Sequence, residues 1–252
     1  MKNIKKLIVI VGSGFAGISA AINLRKNNSD LSVLVIDSKS TFEFKPLLYE
    51  VFSDEIKSWE VVPSFDTIFA NSGITFLRNN VELIDLDNNF LILQDNLRVD
   101  FQYLILSTGS SPNDFSIKGV KEYSYFFNTN QDQLKLKNFL EKPLLKEKCR
   151  EIFIIGAGPS GVELACKIND LYNKKFAIKI VERTSEILNK NKIFNKEEAE
   201  KAIERKNINL LMNSSVVEIT DKEILITNAS NQIDQFQYCA VIWTAGIKPN
   251  LP

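Results

Sequence analysis

The stretch IFIIGAGPSGVE, residues 152–163, decides how this chain folds, because a near copy of it, LIVIVGSGFAGI, occupies residues 7–18. Each copy opens on a short apolar run of the kind that forms a buried parallel strand. Each then spaces three glycines as G-x-G-x-x-G: Gly12, Gly14 and Gly17 in the first, Gly156, Gly158 and Gly161 in the second. The first glycine permits a tight turn. The second has no Cβ, so a pyrophosphate can approach the backbone. The third lets the following helix pack close to the strand. The free N–H groups and positive dipole end of that helix then face the anion.

The residues C-terminal to each turn add to the match. Residues 15–26 and 159–171 read as helices, the first with Ala16, Ala20, Ala21 and Leu24 on its apolar side. LSVLVID (31–37) is then a second strand ending in Asp37, and AIKIVE (177–182) is its counterpart ending in Glu182. An acid about twenty residues past the last glycine accepts hydrogen bonds from a ribose hydroxyl pair. Two complete units predict two dinucleotide sites. The start MKNIKK followed by LIVIV has the outline of a signal peptide. Its apolar core falls short of the usual minimum of about seven residues, and the glycines account for it better.

The repeat continues beyond the glycines. Runs 74–77, 81–86, 90–94 and 101–109 read as strands after the first unit, and 208–212, 216–220, 223–227 and 236–246 after the second. Phe101-Gln102-Tyr103 and Phe236-Gln237-Tyr238 hold matching places. The expected fold is therefore α/β, with two Rossmann-like domains that each carry a β-meander and then return to the parallel sheet. The expected boundaries are 1–112 for the first domain, with 236–252 returning to it, 113–148 for a connector and 149–235 for the second. Within the connector, QDQLKLKNFLEKPLLKEKCR (131–150) reads as an exposed helix whose charges form a solvated face.

Composition narrows the function. A length of 252 residues suits one large or two modest domains, and 44% hydrophobic residues support a real core. Lys+Arg and Asp+Glu both number 31, with no basic stripe, so nucleic acid is not an expected partner. No apolar run approaches the length of a membrane span. The three cysteines, Cys149, Cys166 and Cys239, are far apart, as expected of thiols in a reducing, cytoplasmic setting. No histidine occurs, which removes Ser-His-Asp and Cys-His chemistry and histidine metal sites; no Cys or acid cluster is spaced for zinc, and no metal is expected. Two nucleotide sites let two redox cofactors meet, with hydride donor and acceptor about 3–3.5 Å apart. The cofactors then carry the chemistry, and a chain without histidine suffices.

The order GSGFAG (12–17), FKPLLYE (44–50), LSTGS (106–110), GAGPSGVE (156–163) and WTAGIKP (243–249) resembles the type II NAD(P)H:quinone oxidoreductases, FAD-containing NADH dehydrogenases among the two-dinucleotide-domain flavoproteins. Residues 42–65, with Trp59-Glu60, and VERTSEIL (181–188) are most similar to the demethylphylloquinone reductase branch of photosynthetic bacteria and plastids. The resemblance implies FAD on the first unit. Gly12, Gly14, Phe15, Ala16 and Gly17 would line its pyrophosphate, Asp37 the adenosine ribose and the Val81 backbone the adenine. Thr108 and Gly109 would lie near the flavin, and Gly246 joins this cofactor-binding set. Lys45 and Pro46 match the loop beside the isoalloxazine, where Lys45 either stabilises reduced flavin or is a surface charge. Phe42, Phe44, Leu47 and Leu48 read equally well as core.

The second unit would take NADH or NADPH through Gly156, Gly158, Gly161 and Glu182. The acid favours a free 2′-OH over a 2′-phosphate, and Arg183 beside it softens that choice. Glu163 is either a first-turn acid in contact with the helix dipole, worth about 0.3–1 kcal/mol, or, by the resemblance, a catalytic acid on a proton path to quinone. No close cysteine pair is present for flavin-to-disulfide transfer. The expected acceptor is a quinone, with a protein acceptor such as a ferredoxin, or a non-catalytic nucleotide-binding remnant, as alternatives. Relatives continue past the T-A-G strand into a Gly-Asp segment that closes the FAD site and into helices that touch the membrane. The expected fold is accordingly shortened, lacking the usual C-terminal segment. Peripheral contact with the inner or thylakoid membrane is expected only of a full-length form.

Overall fold

The computed structural model describes residues 7–142, 150–189 and 192–250. The chain divides into two compact units: Met1–Phe44, Ser58–Ser111 and Pro249–Pro252 form the first, and Lys45–Lys57 with Pro112–Lys248 the second.

In the first unit, strand Leu7–Val11 leads through the glycine turn into helix Phe15–Asn27 and strand Ser32–Asp37. Short helices Ser58–Val61 and Phe65–Phe69 precede strand Ile74–Arg78. A meander, Val81–Asp85, Phe90–Leu93 and Arg98–Asp100, leads to strand Tyr103–Leu106. The parallel sheet runs 74–78, 32–37, 7–11, 103–106. Side chains of a strand alternate between faces, and both faces are covered here. Ile8 and Ile10 pack with Ala21, Phe65 and Phe69, whereas Val9 and Val11 pack with Leu91, Leu93 and Phe101 of the meander side. This two-sided burial makes LIVIV an unbroken apolar run.

The second unit repeats the plan. Its parallel sheet runs 209–211, 177–181, 151–155, 240–243, 124–126, and its meander is Ser215–Ile219, Glu223–Thr227 and Ile233–Gln237. Ile152 and Ile154 face helix Pro159–Leu171 through Leu164, Ala165 and Ile168. Phe153 and Ile155 face the meander through Ile219, Ile224 and Ile226.

Several boundaries differ from those expected. Residues 101–109 do not form one strand. The Phe101 N–H still bonds the Asn89 carbonyl, while the Gln102 N–H bonds that of Leu7, so the chain changes sheets between them. The same switch separates 233–237 from 240–243, where the Cys239 N–H bonds the Glu151 carbonyl. Residues 236–248 do not return to the first domain: Ala240–Trp243 pairs with Glu151–Ile155 in the second sheet, and only the segment from Pro249 onward joins the first unit.

Nor are 113–142 a connector. Ser124–Phe126 is the edge strand of the second sheet. Helix Asn130–Leu140 buries Leu136 and Leu140 completely, so one face is core rather than solvated. A capping box starts it: Thr129 Oγ1 accepts the Asp132 N–H and Asp132 accepts the Thr129 N–H. Residues 143–149 of the expected longer helix, and MKNIKK, lie outside the described residues.

Residues 45–57 leave the first unit by the same logic. Helix Leu48–Phe52 buries Leu48, Val51 and Phe52, and Tyr49 and Phe52 contact the Phe127 ring. Asp54 pairs with Lys137 and Glu55 with Lys167. Helix Ile193–Arg205 had no counterpart in the sequence reading, because its inner face is only Ile203, which is buried, and the small side chains of Ala199 and Ala202, which are partly buried. Cys166 is a free thiol, whereas Cys239 is disulfide-bonded, contrary to the expectation of three thiols. Among the described residues no helix is long and apolar enough to cross a membrane.

Candidate functional site

The two glycine turns are built alike. Gly12 sits at φ +96° and Gly156 at φ +105°, a region that favours glycine. Their N–H groups donate to Ile36 O and Val181 O, both at 2.8 Å. A Cβ on Gly17 would lie 1.9 Å from the Gly12 carbonyl oxygen, and one on Gly161 1.9 Å from that of Gly156. The third glycine is thus required by the protein itself. The second is not: around the Cβ positions of Gly14 and Gly158 nothing lies within 4 Å. Both cap the N-terminus of a 13-residue helix with no side-chain cap. Unfilled space against free helix N–H groups is what an anion site of this kind needs.

A hydroxyl braces each turn from the returning strand. Ser107 Oγ donates to the Val11 and Gly12 carbonyls (3.0 and 2.7 Å), and Thr244 Oγ1 to those of Ile155 and Gly156 (2.8 and 3.3 Å). The sequence reading passed over both, although their shared place two residues before Gly109 and Gly246 was a usable signal.

Each acid read as a ribose ligand also holds its own turn. Asp37 Oδ2 accepts the N–H and O–H of Ser13, both at 2.7 Å, and Oδ1 accepts the Lys39 N–H at 2.9 Å. Glu182 Oε2 accepts the Ala157 N–H at 2.8 Å, and Oε1 the N–H and O–H of Thr184, both at 2.9 Å. Three bonds occupy each carboxylate, of about four that it can accept.

In the first unit a cavity of about 190 Å³ brings Gly12, Asp37, Val81 and Thr108 together, with Asn79 and Asn80 beside them. Asn250 closes one side: its N–H bonds the Gly109 carbonyl and its amide the Thr108 carbonyl. Phe15 and Ala16 are exposed at the helix start, and the Phe15 ring meets Phe42 and Phe44 edge-on at 4.9 and 5.3 Å. Phe44 and Leu47 are exposed and Leu48 is buried, so that apolar set divides.

Lys45, Pro46, Glu163 and Gly246 belong to the second unit. Lys45 and Pro46 lie in the 3-10 turn Lys45–Leu47, and Lys45 Nζ donates to Asn128 Oδ1 at 2.9 Å. A Cβ on Gly246 would lie 2.5 Å from the Phe115 ring. Glu163 is the fifth residue of helix Pro159–Leu171, past a first turn that carries no acid, so it is not the first-turn acid expected from the sequence. Burial and then the charge of Glu50 raise its carboxyl above the ordinary value. Glu50 itself has one buried oxygen, Oε2, with no hydrogen-bond partner. A carboxyl raised on folding binds its proton more tightly folded than unfolded. Its stabilising contribution is therefore complete below the ordinary value of 4.5 and is lost as pH rises through the raised one. Glu163→Gln is expected to raise the melting temperature at pH 7 and not at pH 4. Equal shifts at both pH values in thermal denaturation would contradict that environment.

Comparison with known proteins agrees with this architecture. The sequence matches the pyridine nucleotide-disulphide oxidoreductase family over residues 6–252. The chain belongs to that family. It is 31% identical to the demethylphylloquinone reductase NdbB of Synechocystis sp., over 98% of this chain and 63% of that protein. It is 25% identical to the alternative NAD(P)H-ubiquinone oxidoreductase C1 of Arabidopsis thaliana, over 99% of this chain and 54% of that one. The structure of NDH2 from Plasmodium falciparum in complex with NADH superposes with a TM-score of 0.88 at 23% identity, over 98% of this chain and 56% of that chain. This shows a shared fold. The chain thus spans between about half and two thirds of the length of these relatives.

Proposed function

We propose that this chain is the nucleotide-binding part, or the whole, of an NAD(P)H:quinone oxidoreductase, with FAD on the first turn and NADH or NADPH on the second. The observation that carries it is the pair of open cradles: two second glycines with no neighbour within 4 Å, each on a free helix N-terminus and each with a strand-end acid. FAD supplies acceptance of a hydride from the nicotinamide and release of the electrons to a quinone. The chain's own residues bind and orient. Gly12, Gly14, Phe15, Ala16 and Gly17 would hold the FAD pyrophosphate, Asp37 and Val81 its adenosine, and Thr108, Gly109, Lys45, Pro46 and Gly246 the remainder. Gly156, Gly158, Gly161 and Glu182 would hold the nicotinamide nucleotide, and Glu163 a proton.

Burial favours a quinone over disulfide chemistry, because it pushes the free Cys166 thiol up and away from the reactive thiolate. Contact with an inner or thylakoid membrane belongs to the same proposal. The test is bleaching of flavin absorbance by NADH after reconstitution with FAD, and then reoxidation with a soluble quinone analogue. Reoxidation by a ferredoxin alone would change the acceptor, and no bleaching would leave a nucleotide-binding remnant.

Glu182→Gln removes the charge that opposes a 2′-phosphate. NADH is expected to bind more weakly and NADPH relatively better, with FAD unchanged. Titration of both nucleotides into wild type and variant checks this; an unaltered NADH/NADPH ratio would remove Glu182 from the ribose site.

A further inference from the structure

The two strand-end acids are held differently, and the difference singles out one residue. In the first turn the hydroxyl that grips the acid comes from the turn itself: Ser13, fully buried, gives both N–H and O–H to Asp37 Oδ2. Two residues beyond that acid, Lys39 gives its backbone N–H, and its side chain pairs with Glu43. In the second turn the place of Ser13 is taken by Ala157, which has only its N–H to give. The missing hydroxyl is supplied from the other side, two residues beyond the acid, by Thr184.

We propose that Thr184 is a specificity-determining positioning residue, whose hydroxyl holds the Glu182 carboxylate against the Ala157 amide, where it takes a ribose 2′-OH and excludes a 2′-phosphate. This rests on the reading of the second turn as a nicotinamide dinucleotide site. With three acceptor positions used, the carboxylate has about one left to offer a ligand. Its orientation then decides what it can do. Held on the turn, its charge opposes a 2′-phosphate. Without the hydroxyl, Oε1 keeps only the Thr184 N–H and the carboxylate is held by two bonds instead of three; it gains rotamer freedom and that opposition falls, while a 2′-OH loses a firmly oriented acceptor. Arg183, exposed beside it, is a cation for the phosphate once the acid yields.

The Thr184 hydroxyl has one proton and two acceptors at 2.9 Å, Glu182 Oε1 and the Glu186 carbonyl. The ionised acceptor makes the stronger bond. The backbone of this segment is fixed without that hydroxyl. The Thr184 N–H bonds Glu182, its carbonyl accepts the Asn213 N–H at 3.1 Å, and the Leu188 N–H bonds the Ala157 carbonyl at 2.9 Å. Thr184→Val, close in shape, therefore removes the hydroxyl and leaves the loop.

The test is calorimetric titration of NADH and of NADPH into wild type, Thr184→Val and Thr184→Ser, with thermal melting of each. The valine variant is expected to weaken NADH binding about tenfold without weakening NADPH, the scale of one hydrogen bond to a charged group. The serine variant, which keeps the hydroxyl, should match wild type. If the valine protein does not fold, Thr184→Ala gives the same comparison. An unchanged NADH/NADPH ratio, with or without a lower melting temperature, would mean the hydroxyl serves Glu186 and would overturn the proposal. Wild type that binds neither nucleotide would overturn the dinucleotide reading, and this one with it.

Discussion

Gly158→Val is expected to abolish NADH binding while FAD binding and the fold persist, and Gly14→Val to do the reverse. Apart from its chain neighbours, nothing in the protein lies within 4 Å of a Cβ at either position, so the added side chain starts in open space. The side chain instead fills the space in front of the free N–H groups of helices Pro159–Leu171 and Phe15–Asn27. A pyrophosphate displaced from there loses hydrogen bonds worth about 1.5–3 kcal/mol each, so losing two weakens binding by roughly a hundredfold or more. Calorimetry for NADH, visible absorbance for flavin and thermal melting for the fold measure the three effects separately. Loss of flavin from Gly158→Val with NADH still bound would reverse the assignment of cofactors to turns.

The third glycine of each turn should fail in the opposite way. Gly161→Ala places a Cβ 1.9 Å from the Gly156 carbonyl oxygen and 2.9 Å from Thr244 Oγ1; Gly17→Ala places one 1.9 Å from the Gly12 oxygen and 2.7 Å from Ser107 Oγ. Alanine improves helix propensity by about 1 kcal/mol. A contact this short with backbone cannot be relieved by a rotamer change, so helix and strand must separate. Overpacking of this kind costs about 3 kcal/mol, and more where backbone must move. The clash outweighs the propensity gain. Denaturant unfolding is expected to show a net loss of at least about 2 kcal/mol for either variant. Stability within about 0.5 kcal/mol of wild type would refute the close helix–strand contact.

These contrasts show how much was legible in the sequence. The glycine spacing told that helix and strand come together at Gly17 and Gly161 and that Gly14 and Gly158 stay open, because each requirement acts within about a dozen residues. The meander strands were legible too, as short runs rich in β-branched and other apolar residues split by Asn-rich turns. The change of sheet at Phe101-Gln102 was not. Both sides of the switch are apolar, and only the partners of two N–H groups reveal it.

The chain's own order established two strand–turn–helix–strand–acid units, each with a meander and a returning strand, because those features rest on local backbone conformation and on burial of both sheet faces. Only the tertiary structure decided that Lys45–Lys57 and Ala240–Trp243 belong to the second unit, since that depends on which distant surfaces take up Phe52 and Trp243. Only it, likewise, showed Asp37 and Glu182 as braces of their own turns. A sequence displays an acid and its distance from a glycine. The lone pairs of that acid are shared among Ser13, Ala157 and Thr184 by geometry alone.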